Sequence, residues 1–549
     1  MQSGNDKTTG SDHTTWQGMR WYICALLFFA TTINYIDRQI LSLIKEFLDV
    51  QFGWSKAQFG LVNSLFQGAY GAGLLWFGWF VDRRGVRLGY AVSMVGWSLA
   101  AMVHAFVNFI PQGHKFAAYG FVFEYTTLAV GSFGFCRVLL GLAEAGNFPS
   151  AVKGVAQWFP KRERALAASL FNAGTNVGAI IAPALVPFLA IKFGWPMPFI
   201  LAGILGFVWL FFWLPVYKTP EEHPRVSKEE LELIQSDKEI STPEKVSWLS
   251  LLGHRQTWSF IVAKFMTDPV WWFFLIWLPD FFNETLLLNI KKSWVHLVTI
   301  YSIITVLSIF GGWITGHLSK LGWSITRARK TGMFVFALCV VPVMFATHFG
   351  RFNVDAGFFD RLKVSSYTIE KIVTVEGKNV KEKTTKPVPA EVVTALQALN
   401  GKTYRTAESF IQAAGEIVTP ATATEMKQAL ADSARDNQLF WIAVLLISLA
   451  GAAHQAWSAN LYTTVSDMFP KKAVASIIGI GGMAGSMGGM IFPLVTGVLL
   501  DHFKAAGKVT AGYNILFGIC AFAYLTSFAI HHFLAPKFEA VDVDKKKTA

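Results

Sequence analysis

Four ionisable residues stand inside otherwise apolar sequence: Asp37 and Arg38 in TTINYIDRQI, and Arg137 and Glu144 in CRVLLGLAEAGNFP. Charges are rare at membrane depth unless they pair, face a cavity, or carry a substrate or proton pathway. Arg137 and Glu144 are seven residues apart, which places them on one face of a helix about 10 Å apart along its axis. An arginine grips a carboxylate through two parallel hydrogen bonds and stays charged when desolvated, so these residues suit an anionic ligand. A buried carboxyl beside an arginine can take and release a proton as its surroundings change, a role open to Glu144 or Asp37. The structural alternatives are a pair at Asp37 and Arg38 that reaches toward an interface, and an interhelical ion pair at Arg137 and Glu144.

Other polar residues recur in apolar helical stretches. Asn172, Thr175 and Asn176 form one group, and His454, Gln455, Trp457, Ser458 and Asn460 another. A polyhydroxylated ligand needs such donors and acceptors, although each residue type also serves helix packing. Lys264 and Asp268 form an i, i+4 pair just ahead of Pro269, suited equally to structure, gating or substrate. Trp271 and Trp272 read as packing or interface residues.

The elements that must hold these groups are membrane helices. The chain has 549 residues, 53% hydrophobic and only 15% charged, against about 25% charged in soluble domains. Apolar blocks at 20–45, 57–81, 88–108, 121–157, 165–192 and 197–216 predict six spans, and blocks at 256–284, 293–319, 330–349, 438–467, 473–502 and 512–534 predict six more. The expected class is an all-α membrane protein with twelve transmembrane helices in two bundles. Residues 1–19 are expected as a cytoplasmic tail without a signal peptide, 20–216 as the N-terminal bundle, 217–255 as a cytoplasmic linker, 256–534 as the C-terminal bundle, and 535–549 as a second cytoplasmic tail. The linker sequence SKEELELIQSDKE predicts a surface helix. Residues 350–437 interrupt the second bundle and are too long for a connection, so they predict a small α/β insertion between the ninth and tenth spans, on the periplasmic side. Within it, YTIEKIVTVEGKNVKEKTTKPV reads as two strands around an EGKN turn, and AEVVTALQAL and TEMKQALADSA as short helices.

The net charge of +12 lies in short clusters between apolar blocks, among them Arg83, Arg84 and Arg87, Arg327, Arg329 and Lys330, and Lys471 with Lys472. That distribution is the positive-inside pattern of a bilayer protein with both termini cytoplasmic, and it argues against nucleic acid. Cys24, Cys136, Cys339 and Cys520 lie in apolar stretches without metal-ligand spacing. No nucleophile, metal or cofactor motif argues for an enzyme.

The two halves also resemble each other. At a constant offset of 310, Gly141 aligns with Gly451, Glu144 with His454, Phe159-Pro160-Lys161 with Phe469-Pro470-Lys471, Gly178 with Gly488 and Pro183 with Pro493. This predicts a duplicated six-helix unit with a ligand site near the bilayer midplane between the halves.

The second predicted span ends in GWFVDRRGVR, which resembles the G-x-x-x-D-R-x-G-x-R loop of the major facilitator superfamily. Gly78 would let neighbouring helices approach, and Asp82, with Arg83, Gly85 and Arg87, would latch the helix ends in one state of a transport cycle. The counterpart Gly311–Gly322 carries no acidic residue at the matching place. The aspartate-arginine pair at 37–38, the R-x6-E-A of the fourth span and EAGNFPSAVKGVAQWFPKRERALAASLFNAGTNVGAIIAP together resemble the anion:cation symporter family and its hexuronate and sugar-acid members. The resemblance covers all spans but not the insertion. It implies a monomeric secondary carrier in a bacterial inner membrane, in which Arg38 and Arg137 bind a substrate carboxylate with help from Tyr70, and Asp37 and Glu144 handle protons. Some hexuronate members lack the first-span Asp. The alternatives are an organic anion or organophosphate/phosphate exchanger, and a transporter-like nutrient sensor.

Overall fold

A computed structural model describes residues 18–111, 116–118, 121–236, 248–375, 378–434 and 437–543. The N-terminal tail up to residue 17, the end of the C-terminal tail from 544, and residues 376–377 of the EGKN turn lie outside the described residues.

Among the described residues, eleven helical stretches are long and apolar enough to cross a membrane, one fewer than the sequence predicts. The difference lies at Gly85. The stretch Lys56–Phe109 runs for 54 residues, roughly 80 Å if straight, well over twice what a bilayer core of about 30 Å requires. Gly85 interrupts its helix Lys56–His104 with φ 82° and ψ 166°, a conformation essentially reserved for glycine. Beyond the break the chain folds back: a Cβ added at Gly89 would lie 2.5 Å from Val81 Cγ2, although the two residues would sit about 12 Å apart in a continuous helix. The second and third predicted spans are therefore the two arms of this hairpin.

The first span is Met19–Leu43. The fourth is Tyr125–Glu144 continued by Asn147–Trp158. It breaks where Pro149 cannot donate to the carbonyl four residues earlier, so Glu144 ends its first segment. The fifth and sixth are Lys161–Phe193 and Met197–Val216. The seventh to ninth are Arg255–Leu286, Ile290–Lys320 and Ile325–Val340, the last prolonged by a tighter helix over Val341–Phe349. The tenth to twelfth are Asn437–Met468, Lys471–Ala505 and Val509–Leu534.

Repeat-related glycines make related contacts. Gly141 of the fourth span would press a Cβ to 2.5 Å from Phe66 O on the second, and Gly451 of the tenth to 2.3 Å from Ile304 Cδ1 on the eighth. Gly178 meets the first span at Thr32 O, 2.6 Å, and Gly488 the seventh at Phe265 O, 2.4 Å. A close approach repeated at equivalent positions is what a duplicated packing scheme requires.

The linker helix Lys228–Gln235 starts at Ser227, whose hydroxyl accepts from Glu230 N. Glu230 then caps a different helix: its Oε2 accepts from Met19 N at 3.1 Å and its Oε1 from Arg20 N at 3.1 Å. The linker is thereby fastened to the start of the first span. Residues 350–434 have a separate apolar core around Phe352, Phe358, Leu396, Phe410 and Leu430. Strands Ser366–Val375 and Lys378–Pro387 pair antiparallel, and a helix covers Lys427–Ala434. Helices Ala356–Lys363 and Ala407–Val418 complete this core and are additional to the sequence reading. The unit is attached to the second half: Glu408 accepts from Thr510 N at 2.7 Å, Gln428 Nε2 donates to Leu287 O at 3.1 Å, and Lys292 Nζ lies 2.8 Å from Asp432.

Replacing Gly85 with alanine forces a side chain into the left-handed turn and is expected to cost about 1–3 kcal/mol. Thermal unfolding in detergent should show a lower Tm; an unchanged Tm would contradict the hairpin assignment.

Candidate functional site

The first-span helix carries Asp37 and Arg38 on successive residues, so the two side chains diverge by about 100° around its axis. Asp37 turns into the first bundle, where Trp97 Nε1 of the third span donates to its Oδ2 at 2.5 Å. Its Oδ1 finds no hydrogen-bond partner. Arg38 reaches the fourth span, and its Nε donates to Glu144 Oε2 at 2.7 Å. Glu144 is 0% exposed and its Oε1 has no hydrogen-bond partner.

Four aromatic rings surround the Arg38 guanidinium. Its Cζ lies 4.5 Å from the centroid of Tyr70, 5.4 Å from Tyr35, 5.6 Å from Phe66 and 5.4 Å from Trp272. These ring faces stabilise a cation while leaving its N–H groups in plane for acceptors. Trp272 belongs to the seventh span, so this group joins the two halves. Arg137 lies one ring away, its Cζ 5.4 Å over Phe66. It is 1% exposed, and its Nε and Nη2 donate to no protein acceptor. A buried guanidinium left in this state is strongly unfavourable and attracts an acceptor-rich anion. The ion pair within reach of sequence reasoning, Arg137 with Glu144, is replaced by Arg38 with Glu144.

The remaining expected ligand residues divide. Tyr70 joins Arg38. Asn172 is exposed, Asn176 half-buried and Thr175 buried on the fifth span, and no described hydrogen bond brings any of them to the charge cluster. His454 is buried between helices: its Nδ1 lies 2.5 Å from Tyr524 Oη, and its ring stacks on Trp271 at 5.4 Å. Gln455 is half-buried. Asn460 faces the ninth span. Its Nδ2 donates to Ala456 O at 2.8 Å and its Oδ1 accepts from Arg329 Nη1 at 3.3 Å, while Arg329 Nε pairs with Asp467 at 3.2 Å. These bonds occupy Asn460 in a brace between the ninth and tenth spans.

A second charge cluster closes the cleft at the end that carries the insertion. Lys56 Nζ lies 2.7 Å from Asp280 Oδ2 and 3.1 Å from Glu284 Oε1, and Lys45 Nζ lies 3.0 Å from Asp280 Oδ1. Tyr513 donates to Asp280 as well. Asp501 of the eleventh span caps the second: its carboxylate accepts from Lys56 N at 2.9 Å and Ala57 N at 2.7 Å. Lysines from the first half thus meet carboxylates from the second. The sequence reading missed this cluster, because charges near span ends read as boundaries; its signal was Asp280 inside the block 256–284 and Lys56 just ahead of the block 57–81.

The second and eleventh spans touch at this end and part toward the other. A Cβ at Gly60 would meet Pro493 O at 2.3 Å, at Gly68 Met490 Sδ at 2.8 Å, and at Gly71 Ser486 Cβ at 3.0 Å. Gly78 continues the same helix face, yet nothing lies within 4 Å of it or of Gly482 on the eleventh span. The expected close approach at Gly78 is therefore not made in this conformation. Asp82 likewise makes no latch between halves here: it accepts from Lys153 Nζ at 2.9 Å within the first bundle. Arg83 stacks over Trp79 at 4.7 Å, and Arg87 donates to Leu214 O at 2.5 Å. The protein is closed at the insertion end and parted at the linker end.

A family model for the Major Facilitator Superfamily matches residues 27–359 and 427–548. The chain belongs to this superfamily. It is a multi-pass membrane transporter, not an enzyme. The hexuronate transporter of Escherichia coli (strain K12) is 25% identical over 512 residues, 92% of this chain and 91% of that protein. A probable galactarate/D-glucarate transporter of the same strain is 29% identical over 343 residues, 60% and 73% of the two chains. The galacturonate transporter of Dickeya chrysanthemi is 28% identical over 280 residues, 50% and 75%. Among solved structures, a bacterial homologue of the human lysosomal transporter Spinster superposes with TM-score 0.59 at 13% identity, covering 95% of this chain and 98% of that one. A D-xylose-proton symporter gives 0.57 at 13% identity, covering 96% and 99%. These structures share the transporter fold.

Replacing Asp280 with alanine leaves Lys56 with Glu284 and Lys45 with Asp49 but removes the carboxylate the two lysines share across the halves, and should open the insertion end. With the four native cysteines removed, a cysteine at Ser42 is expected to react several-fold faster with a membrane-impermeant maleimide in Asp280→Ala. An unchanged rate would show that this cluster does not hold the closure.

Proposed function

We propose that the protein is a proton-coupled symporter that brings a sugar-acid anion, a hexuronate such as glucuronate or galacturonate, into a bacterial cell across the inner membrane. The buried, hydrogen-bond-deficient Arg137 guanidinium is the observation that carries this reading. The carboxylate of the substrate supplies its missing acceptors and shares them with Arg38, whose charge the aromatic collar stabilises. Both termini and the linker face the cytoplasm, and the insertion faces the periplasm, in keeping with the basic clusters of the short loops. One chain contains both halves and the whole cleft, so a monomer suffices. The names of the relatives support the substrate class: hexuronate, galacturonate and galactarate or D-glucarate.

Coupling follows from competition for Arg38. While Glu144 is ionised it occupies Arg38 Nε. An arriving carboxylate competes for that cation, and a proton on Glu144 removes the competition and leaves a neutral acid facing the substrate. Substrate and proton therefore favour each other, which is the thermodynamic condition for symport. Asp37 has one oxygen held by Trp97 and one free of partners, and serves as a second proton carrier behind the arginines. With both loads taken from the periplasm the halves rock, the lysine-carboxylate cluster at the insertion end forms, and Gly78 and Asp82 part from the second half; the empty carrier returns by the reverse motion.

Glu144→Gln imitates the protonated acid. In proteoliposomes it should retain D-glucuronate counterflow within about threefold while losing accumulation driven by a pH gradient. Accumulation at the wild-type level would show that Glu144 is not the coupler. Arg137→Gln should abolish both, because it removes the binding charge; retained counterflow would place the carboxylate elsewhere.

A further inference from the structure

The charge pair of the seventh span remains outside this scheme. Lys264 Nζ lies 2.7 Å from Asp268 Oδ2, with side chains 5% and 17% exposed. The ammonium sits 4.6 Å from the Tyr462 ring, so it is held from two sides. Asp268 packs against the eleventh span at Gly485, where a Cβ would lie 2.2 Å from its Oδ2. The pair is therefore built into the wall of the second half, with the carboxylate more accessible than the ammonium.

Its position relative to the arginines follows from the helix. Asp268 and Trp272 are four residues apart on one face, about 6 Å along the axis, and Lys264 lies about 6 Å further toward the open linker end. Trp272 touches Arg38. A six-carbon sugar acid has five C–C bonds of about 1.5 Å and spans on the order of 6 Å. A substrate whose carboxylate lies at Arg38 and Arg137 and whose chain runs along Trp272 thus presents its far end to Asp268.

We infer that the Lys264–Asp268 pair reads the uncharged, hydroxylated end of the substrate and selects monocarboxylate over dicarboxylate sugar acids. This inference rests on the proposed function. Hydroxyl groups donate to the half-buried Asp268 carboxylate at a site whose net charge Lys264 has already cancelled. A second carboxylate at the same place meets Asp268 as a like charge and finds the ammonium already engaged, a repulsive element against the wrong ligand. The relatives span both chemical classes, with hexuronate and galactarate or D-glucarate carriers among them.

The test is competition for labelled D-glucuronate counterflow in proteoliposomes by unlabelled D-glucuronate and by galactarate. Wild type should require at least about tenfold more galactarate than D-glucuronate, the scale of one charge-assisted hydrogen bond lost. Asp268→Asn frees Lys264 and should bring the two competitors within about threefold. Asp268→Glu preserves both charges and the fold but pushes the carboxylate one methylene into the cleft, and should raise the KM for D-glucuronate about tenfold with little change in maximal rate. Equal competition in wild type, or wild-type ratios and KM in these variants, overturns the inference while leaving sugar-acid transport intact. Absence of counterflow with any sugar acid in wild type overturns the proposed function itself.

Discussion

A cation without enough acceptors, enclosed where lipid excludes water, sets the terms for the rest of this structure. Arg137 cannot lose its charge readily and cannot reach solvent, and Glu144, the carboxylate of its own helix, is engaged by Arg38. In a soluble protein such an arrangement would relax by hydration. Here the surrounding helices pack through Gly141, Gly174 and Gly178 against the backbones of the first and second spans, which fixes Arg38, Glu144 and Arg137 with little freedom to rearrange. The rigidity of the first bundle is what would keep the proposed site poised for an anion.

The two charge clusters divide the labour. Around Arg38 the charges lie mainly within the first half, and the second half contributes an aromatic face through Trp272. At the insertion end the ion pairs run between halves, lysines on one side and carboxylates on the other. A binding site that remains whole in one bundle can present its ligand to either side, whereas a closure made between bundles must break when they rock. Asp501 strengthens this closure by capping a helix of the opposite half. The insertion, attached to the seventh-to-eighth connection and to the twelfth span, moves with the second half.

Much of this was legible in the sequence, because length and apolarity decide where helices cross a bilayer. The 310-residue repeat anticipated the matching contacts of Gly141 with the second span and Gly451 with the eighth. Isolated charges in apolar runs identified Asp37, Arg38, Arg137 and Glu144, but that Glu144 pairs with Arg38 depends on how two helices rotate against each other, which spacing along one helix does not carry. Trp97 and Trp272 were hidden for the same reason: a tryptophan in a membrane helix carries no mark of what its ring faces. The contact of Asn460 with Arg329 was hidden because its partner comes from another span. The long helical stretches number eleven among the described residues because two spans join without a loop at Gly85, where the chain reverses.

The account stands or falls on whether an anion and a proton cross together. The direct measurement is lumenal pH in proteoliposomes that contain no internal anion substrate and a trapped pH-sensitive dye, after an inward D-glucuronate gradient is imposed at equal pH and clamped potential. The account predicts lumenal acidification in wild type that disappears in Glu144→Gln. Substrate entry without a pH change, or entry that requires a second anion inside, would contradict it.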